Sequence, residues 1–402
     1  MRAQQVVYAE QGYPMSPDRP TTLHIVGGGI GGLALAAALT RRGWPVQVYE
    51  AAVSYRAVGG GHWLYANALS ALHRIDPTIA SDLVALGMPF EGFWFENLRG
   101  VRLLREPTTH YTPSPDLAPI VVRRWDIIDR LAARVPADRL HFGKRLSRVE
   151  GSSLIFEDGT TVVAEVIVAA DGIHSIVRRD RLGGQKPWFS GQTGLWGIAD
   201  ATLPGEAARH FTELWGNGIR MGFTAVRGGA VYWFLVVRDA TPPREPEALK
   251  AYILDQARPF PEALIEAVRR TPADRIHTNP LWDMPPIRRW WAPGVVAIGD
   301  AVHACTPNLG QGGCQALEDA AVLADALDRY ATFEEAFAAY QTARWWRANG
   351  VTRFARWLGI LAQMRGPMRW FRDALVWSTP ARVVRPVLRW VMAPGWTKSS
   401  TP

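Results

Sequence analysis

Residues 22–50 read TLHIVGGGIGGLALAAALTRRGWPVQVYE. The apolar run Leu23–Val26 leads into glycines at 27, 29 and 32, after which Leu33, Ala36, Ala37 and Leu39 recur at helical spacing. The order is strand, tight turn, helix. Gly43 closes the helix, Val46 and Val48 alternate as a second strand, and Glu50 falls 18 residues beyond the last glycine of the turn. Each glycine has a physical task in such a unit. The first permits the turn, the second lets the backbone approach a pyrophosphate, and the third lets helix pack on strand, while free N–H groups at the helix start attract the anion. Glu50 is placed to accept ribose hydroxyls. This predicts a dinucleotide site in an α/β fold of Rossmann type; the turn alone does not separate NAD from FAD, which share an adenosine diphosphate half.

The rest of the composition bounds the answer. The chain has 402 residues, 20% charged and 48% hydrophobic, which is ample for a folded core. The first 21 residues lack the apolar stretch of a secretory signal and no run of 18 apolar residues occurs, so the expectation is a short flexible leader on a cytoplasmic protein. Two cysteines, Cys305 and Cys314, and nine scattered histidines offer neither a disulfide framework nor a metal-ligand spacing, so no metal is expected. The net charge of +8 does not point to nucleic acid, because it belongs to the tail: eleven Lys or Arg but one acid, Asp373, lie from Arg344 onward. Seven of the 18 Trp lie there too. The ordinary reading is a set of short terminal helices, broken by Pro367, Pro380, Pro386 and Pro394, whose Trp and Leu faces pack on the body while the arginines stay wet. The alternative is peripheral contact with an anionic membrane surface.

Four later stretches carry further signals. VGGGHWLYANALSALHRID, residues 58–76, runs from a glycine cluster into a helix with Ala68, Leu69, Leu72 and Ile75 on one face. IVVRRWDIIDRLAARV, residues 120–135, puts Arg123 and Arg124 at a helix start, where a cation opposes the dipole unless it has an anionic or carbonyl partner. LIFEDGTTVVAEVIVAADGIHSIVRR, residues 154–179, has a hairpin at Asp158-Gly159 and then a strand ending in Asp171-Gly172, the end at which α/β sheets bind ligands. GDAVHACTPNLGQGG, residues 299–313, is a second glycine-rich turn, with a helix behind it on which Ala316, Leu317, Ala320 and Leu323 share a face. Between these, TELWGNGIRMGFTAVRGGAVYWFLVV, residues 212–237, reads as a hairpin about Gly228-Gly229. Strand alternation puts Tyr232 and Phe234 on one face and Trp233 on the other.

Taken together, Gly27–Gly32 with Glu50, the Arg124–Ile127 segment, AADGIHSIVR and GDAVHACTPNLGQGGCQALEDA resemble the FAD-dependent aromatic hydroxylases, the single-component class A flavoprotein monooxygenases of the p-hydroxybenzoate hydroxylase fold. The resemblance spans residues 22 to about 347. It implies a Rossmann-type FAD-binding domain with an inserted β-sheet substrate domain and C-terminal helices. The division expected is 22–75, 100–186 and 277–345 for FAD, 76–99 and 187–276 for substrate, and 346–402 for the helical end. Gly27, Gly29, Gly31 and Gly32 would hold the diphosphate, Glu50 the adenosine ribose, Arg124 the flavin side and Asp300 the ribityl chain. Pro307, Asn308, Leu309, Gly310, Gly312 and Gly313 would meet the isoalloxazine ring. Asp171 would lie near the pyrophosphate, in a motif associated with nicotinamide use. Arg220 and Tyr232 match positions aimed at substrate or flavin. The chain departs from the family at His62, usually aliphatic, at Ala66, usually proline, and at Cys314, often asparagine; His62 then becomes a base or donor at the flavin's reactive face.

The chemistry implied is monooxygenation: hydroxylation or epoxidation of a small aromatic or polycyclic substrate through a flavin C4a-hydroperoxide. No second dinucleotide fingerprint exists, so NADPH or NADH is expected as a transient co-substrate, with O₂, and the protein as monomer or homodimer. Competing readings are a flavin-dependent reductase or dehydrogenase of isoprenoid or lipid substrates and a non-catalytic flavin-containing membrane-associated protein. The Trp-x-Trp-x-Ile-Pro signature of tryptophan halogenases is absent from LWDMPPIRRWW.

Overall fold

A computed structural model describes residues 21–56, 59–238 and 241–395; the leader expected over 1–21 lies almost wholly outside them. Leu23–Val26 takes a central place in a six-stranded sheet. Its order is Trp291–Ala292, Val295–Ala297, Val166–Ala169, Leu23–Val26, Val46–Tyr49, Leu140–His141, and all neighbours but the first pair run parallel. Such strands are covered on both faces, and Leu23, Ile25, Val46, Val48, Val166 and Val168 are fully buried. Helix α1 (Ile30–Arg41) lies on this sheet, buried continuously from Gly32 to Leu39. Helices α2 (Ala66–Ile75), α3 (Pro77–Leu86), α4 (Arg124–Ala132) and α5 (Ile176–Arg181) complete the layer. Asp76 caps α3 by accepting from the Thr78 N–H, with Pro77 in the first turn.

The second layer is a seven-stranded, mostly antiparallel sheet. Its order is His277–Asp283, Trp188–Asp200, Ala230–Val237, Arg220–Val226, His210–Trp215, Gly92–Asn97, Arg102–Pro107. The hairpin turns at Gly228 and Gly229, both at positive φ, as its spacing predicted. Trp233 points away from Tyr232 and Phe234, fully buried against α6 (Pro246–Ala257) and α7 (Glu262–Arg270), and its indole N–H donates to Thr271 Oγ1 at 2.8 Å. The sheet draws Arg102–Pro107 and His277–Asp283 from stretches that the sequence reading gave to the FAD-binding part. Hairpin pairing decides this: Arg102–Pro107 is the antiparallel partner of Gly92–Asn97. Helix α3, read from the sequence as substrate domain, instead packs on α2 and α4.

The chain closes with α8 (Asp300–His303), α9 (Gly312–Arg329), α10 (Phe333–Ala362), α11 (Met368–Ser378) and α12 (Ala381–Met392). Helix α9 lies against α1, with the Ala316 methyl 3.3 Å from where a side chain on Gly31 would begin. The two glycine-rich turns therefore meet. Two adjacent carboxylates of α9, Glu318 and Asp319, are wholly buried and face Arg344 of α10. Asp319 accepts from Arg344 Nε at 2.7 Å, from His303 and from the Gly299 N–H at 2.8 Å, while Glu318 accepts from Arg344, Arg347 and Asn67. Burial pushes both carboxyls up, but His303 and Arg344 hold Asp319 at about 2, and Arg344 and Arg347 hold Glu318 below its usual value.

The tail meets the expectation of packed tryptophans and wet arginines only in part: Arg353, Arg365, Arg382, Arg385 and Arg389 are exposed and Trp345 packs on the core, but two arginines and several tryptophans depart from it. Arg344 and Arg372 are among the largest fully buried side chains, the latter donating to the Ala362 and Gly216 carbonyls, whereas Trp346, Trp357, Trp370 and Trp377 are exposed. Pro386 does not break the tail; it sits inside α12 on an exposed position, where the missing N–H removes no buried bond.

Arg344→Met should cost about 3–5 kcal/mol in urea unfolding, because it strands two buried carboxylates, while Arg353→Met, at an exposed position of the same helix, should change little. Because Asp319 is held at about 2, its contribution to stability is present above its unfolded pKa, about 3.9, and is lost as pH falls through 2.

Candidate active site

At the first turn the glycines separate into two physical groups. Gly27 (φ +105°) passes so close to the neighbouring strand that a Cβ would lie 2.2 Å from the Ala170 carbonyl, and one on Gly32 would lie 2.0 Å from the Gly27 carbonyl. Gly29, by contrast, has nothing within 4 Å of that position. It caps α1 with no side chain of its own on the free N–H groups, which leaves an open, electropositive face. Gly31 faces Ala316, so helix packing rather than ligand space uses its missing side chain. Glu50 follows the second strand and accepts from Gly28 N–H and Ala52 N–H, both at 2.8 Å. The Tyr55 hydroxyl donates to the Gly28 carbonyl at 3.0 Å and closes this corner. Asp171 lies beside Gly27 and caps α5, accepting from Ile176 N–H (2.8 Å) and Val177 N–H (3.2 Å), and burial raises its pKa.

The second turn forms the other end. Gly299 adopts φ +58°, and Asp300 follows with a carboxylate that is ringed by protein, open to an internal cavity, and without a hydrogen bond among the described residues. Burial pushes its pKa up. Pro307–Leu309 forms a single 3₁₀ turn ended by left-handed Gly310 (φ +63°), where a side chain would strike the Tyr65 hydroxyl. Gly312 borders Asp300; Gly313 is covered by the His62 ring, whose Nε2 lies 2.3 Å from where a Cβ would stand. Arg124, the first residue of α4, donates its N–H to the Gly60 carbonyl at 3.1 Å and presents its guanidinium to the same cavity.

That cavity measures about 760 Å³ and lies between the second turn and the large sheet. Beside the second turn its wall is built of rings, among them Trp63, Trp196, Phe211, Tyr232 and Phe234. Trp63 meets Phe211 and Tyr232 edge-on at 5.2 and 5.5 Å. Tyr232 packs its ring on the backbone of Gly60 and Gly61, and neither glycine could carry a side chain there. His62 Nε2, Trp63 Nε1 and Arg220 Nε are buried and have no hydrogen-bond partner among the described residues. Burial and the Arg124 charge lower the His62 pKa to about 4, so its imidazole is neutral at physiological pH. Arg220 is a tether: Nη1 donates to Glu213 Oε1 at 2.7 Å and Nη2 to Asn308 Oδ1, binding the sheet to the second turn.

The structure thus brings Glu50, Asp171 and the first turn together at one end, and Arg124, His62, Asp300 and Pro307–Gly313 at the other, with Arg220 and Tyr232 opposite. Sequence reading missed Trp63, Trp196 and Tyr55, which carry no local signal. It also missed Glu318 and Asp319, although LEDA closes the late motif and acids on an otherwise apolar helix face were visible there.

An open helix N-terminus, an acid after the second strand and a remote second anchor define a dinucleotide-binding flavoprotein, with residues that fit FAD. The model of the FAD binding domain matches residues 144–355, and that of the NAD(P)-binding Rossmann-like domain matches 25–63. The aurachin C monooxygenase/isomerase of Stigmatella aurantiaca is 32% identical over 364 residues, covering 88% of this chain and 93% of that protein. The FAD-dependent urate hydroxylase of Mycolicibacterium vanbaalenii is 29% identical over 87% of this chain and 91% of its own. Klebsiella pneumoniae HpxO, solved with FAD and uric acid, superposes with a TM-score of 0.84 at 21% identity, covering 92% of this chain and 96% of that one. The chain belongs to the FAD-dependent aromatic hydroxylase family and is an FAD-dependent monooxygenase of small organic substrates.

The two glycines of the first turn should respond differently. Gly27→Ala should lose about 2–4 kcal/mol in thermal or urea unfolding through strain and collision. Gly29→Ala should unfold like wild type as apoprotein yet bind FAD at least about tenfold more weakly by titration, since its methyl enters only the ligand space.

Proposed function

We propose that this enzyme uses NADPH or NADH and O₂ to hydroxylate or epoxidise an aromatic or polycyclic substrate held in the ring-walled cavity. The observation that carries the reading is the cavity: an aromatic zone beside the second turn, with buried polar atoms on Trp63 and Arg220 that have no hydrogen-bond partner among the described residues. Flat apolar rings suit such walls, and the lone donors of Trp63 and Arg220 suit a carbonyl or hydroxyl that fixes orientation.

In this reading Gly29 and the α1 N-terminus hold the diphosphate, Glu50 the adenosine ribose, Asp300 the ribityl hydroxyls and Pro307–Gly313 the ring system. Bound FAD supplies the hydride acceptance from NAD(P)H and the activation of oxygen. The chain's own groups position and enclose. The N–H groups at the start of α9 favour negative charge on the neighbouring ring edge. Arg220 fixes Asn308, and so the turn, relative to the substrate wall. The packed rings exclude water. His62, neutral over the working range, acts as a hydrogen-bonding group rather than as a proton carrier titrating near neutrality. The Arg- and Trp-rich end adds peripheral membrane contact, and the molecule works as monomer or homodimer.

With a panel of phenols and polycyclic aromatics, NADPH and O₂ should be consumed together and a product one oxygen heavier should appear by mass spectrometry; cofactor oxidation without oxygen uptake would leave a reductase. Asp300→Ala should release FAD faster on dilution, by about tenfold or more, read as free-flavin fluorescence. Since His62 sits at about 4, the rate between pH 5.5 and 8 should show no inflection abolished by His62→Gln.

A further inference from the structure

The cavity runs on past the aromatic zone. Its outer wall is aliphatic and comes from the terminal helices: Leu358 and Leu361 of α10, Val376 of α11, and Val384, Leu388 and Met392 of α12. Helices α11 and α12 form a roof, and at its edge Leu375, Val383 and Val387 both line the cavity and remain open to solvent. We take this edge, where the cavity wall reaches solvent, as the mouth.

The roof's outer surface is unlike the rest of the protein. Trp370 and Trp377, seven residues apart on one face of α11, are 57% and 69% exposed, and Phe371 between them is 58% exposed. Most of the strongly exposed large apolar side chains among the described residues fall between Trp346 and Trp390. The helices are nevertheless fixed. Arg372 donates to the Ala362 and Gly216 carbonyls, Arg385 pairs with buried Glu106, and Arg347 donates to the carbonyls at the end of α12. Arg353, Arg365, Arg369 and Arg382 pair with no acid among the described residues, and the one acid of this segment, Asp373, is taken by Arg372 and Asn97. Rigid tryptophans in a cationic field match the headgroup region of an anionic bilayer. A second copy of this chain would instead bring like charges together across a shared face.

We propose that the outer face of α11 and α12 docks on an anionic phospholipid bilayer and that the mouth beneath it takes up, directly from that bilayer, a substrate with an aromatic head and an aliphatic tail. The head occupies the ring-walled zone beside the second turn; the tail lies along Val384, Leu388 and Leu358. The head's place rests on the substrate reading proposed above; the docking deepens the membrane contact proposed there and stands on the α11–α12 surface itself.

The test uses the FAD-loaded full chain. It should float with vesicles of equal parts phosphatidylcholine and phosphatidylglycerol, and about tenfold less with phosphatidylcholine alone or in high salt. The triple variant Trp370→Ser, Phe371→Ser, Trp377→Ser should fold and retain FAD yet lose flotation about tenfold, and Arg365→Gln with Arg369→Gln and Arg382→Gln should erase the lipid preference. Resorcinol and its dodecyl-substituted analogue, read by perturbation of flavin absorbance, should differ by about tenfold or more in affinity, and Leu388→Ser should narrow that gap. No flotation of the wild type, flotation unchanged in the triple variant, or a dimer that the triple variant dissolves without any lipid binding would overturn the docking. Equal binding of the two resorcinols would overturn the route. Flotation with no turnover of any aromatic substrate would instead count against the monooxygenase assignment of substrate.

Discussion

Two neighbouring carboxylates, Glu318 and Asp319, set the arrangement on which the site depends. They sit side by side on α9 with no access to water, a placement that is tolerable only because cations and N–H groups converge on them. Asp319 takes the Gly299 N–H and so holds the strand end from which Asp300 projects. Glu318 takes Asn67 and so fixes the start of α2, four residues after His62 in the chain, against α9. Arg344 bridges the pair from α10. A charge cluster of this kind contributes little net stability compared with an apolar core of the same size, but it specifies one geometry. Here it holds the late glycine-rich turn in register with the early one.

The parts of the fold that were legible from the sequence are those whose determinants are local. The first turn announces itself in eleven consecutive residues between Leu23 and Leu33, because strand, glycines and helix each require their neighbours. The Gly228-Gly229 hairpin and the opposed directions of Tyr232 and Trp233 follow from a period of two. The edge of the large sheet was not legible in that way: Arg102–Pro107 joins it through pairing with Gly92–Asn97, and nothing in its composition names its sheet.

The candidate site was legible in outline and opaque in its supports. Glu50, Asp300 and the second turn stand in recognisable motifs. The Arg220–Asn308 contact spans 88 residues, and Arg344 reaches Asp319 across 25, so neither pair leaves a pattern in sequence. Gly29 and Gly31 look alike on paper, yet one opens on the ligand space and the other on Ala316. The tail misled for a related reason. Amphipathic spacing tells which residues share a face, but not whether that face meets protein, and here backbone carbonyls claimed Arg347 and Arg372 while Trp346, Trp357, Trp370 and Trp377 stayed outside.

Arg347 couples two distant parts of the fold. It neutralises Glu318 and at the same time donates to the carbonyls of Trp390 and Ala393 at the end of α12. One guanidinium thus serves both the charge cluster that registers the two halves of the cofactor groove and the anchoring of α12, so the terminal helices are tied to the groove itself rather than laid on a finished enzyme.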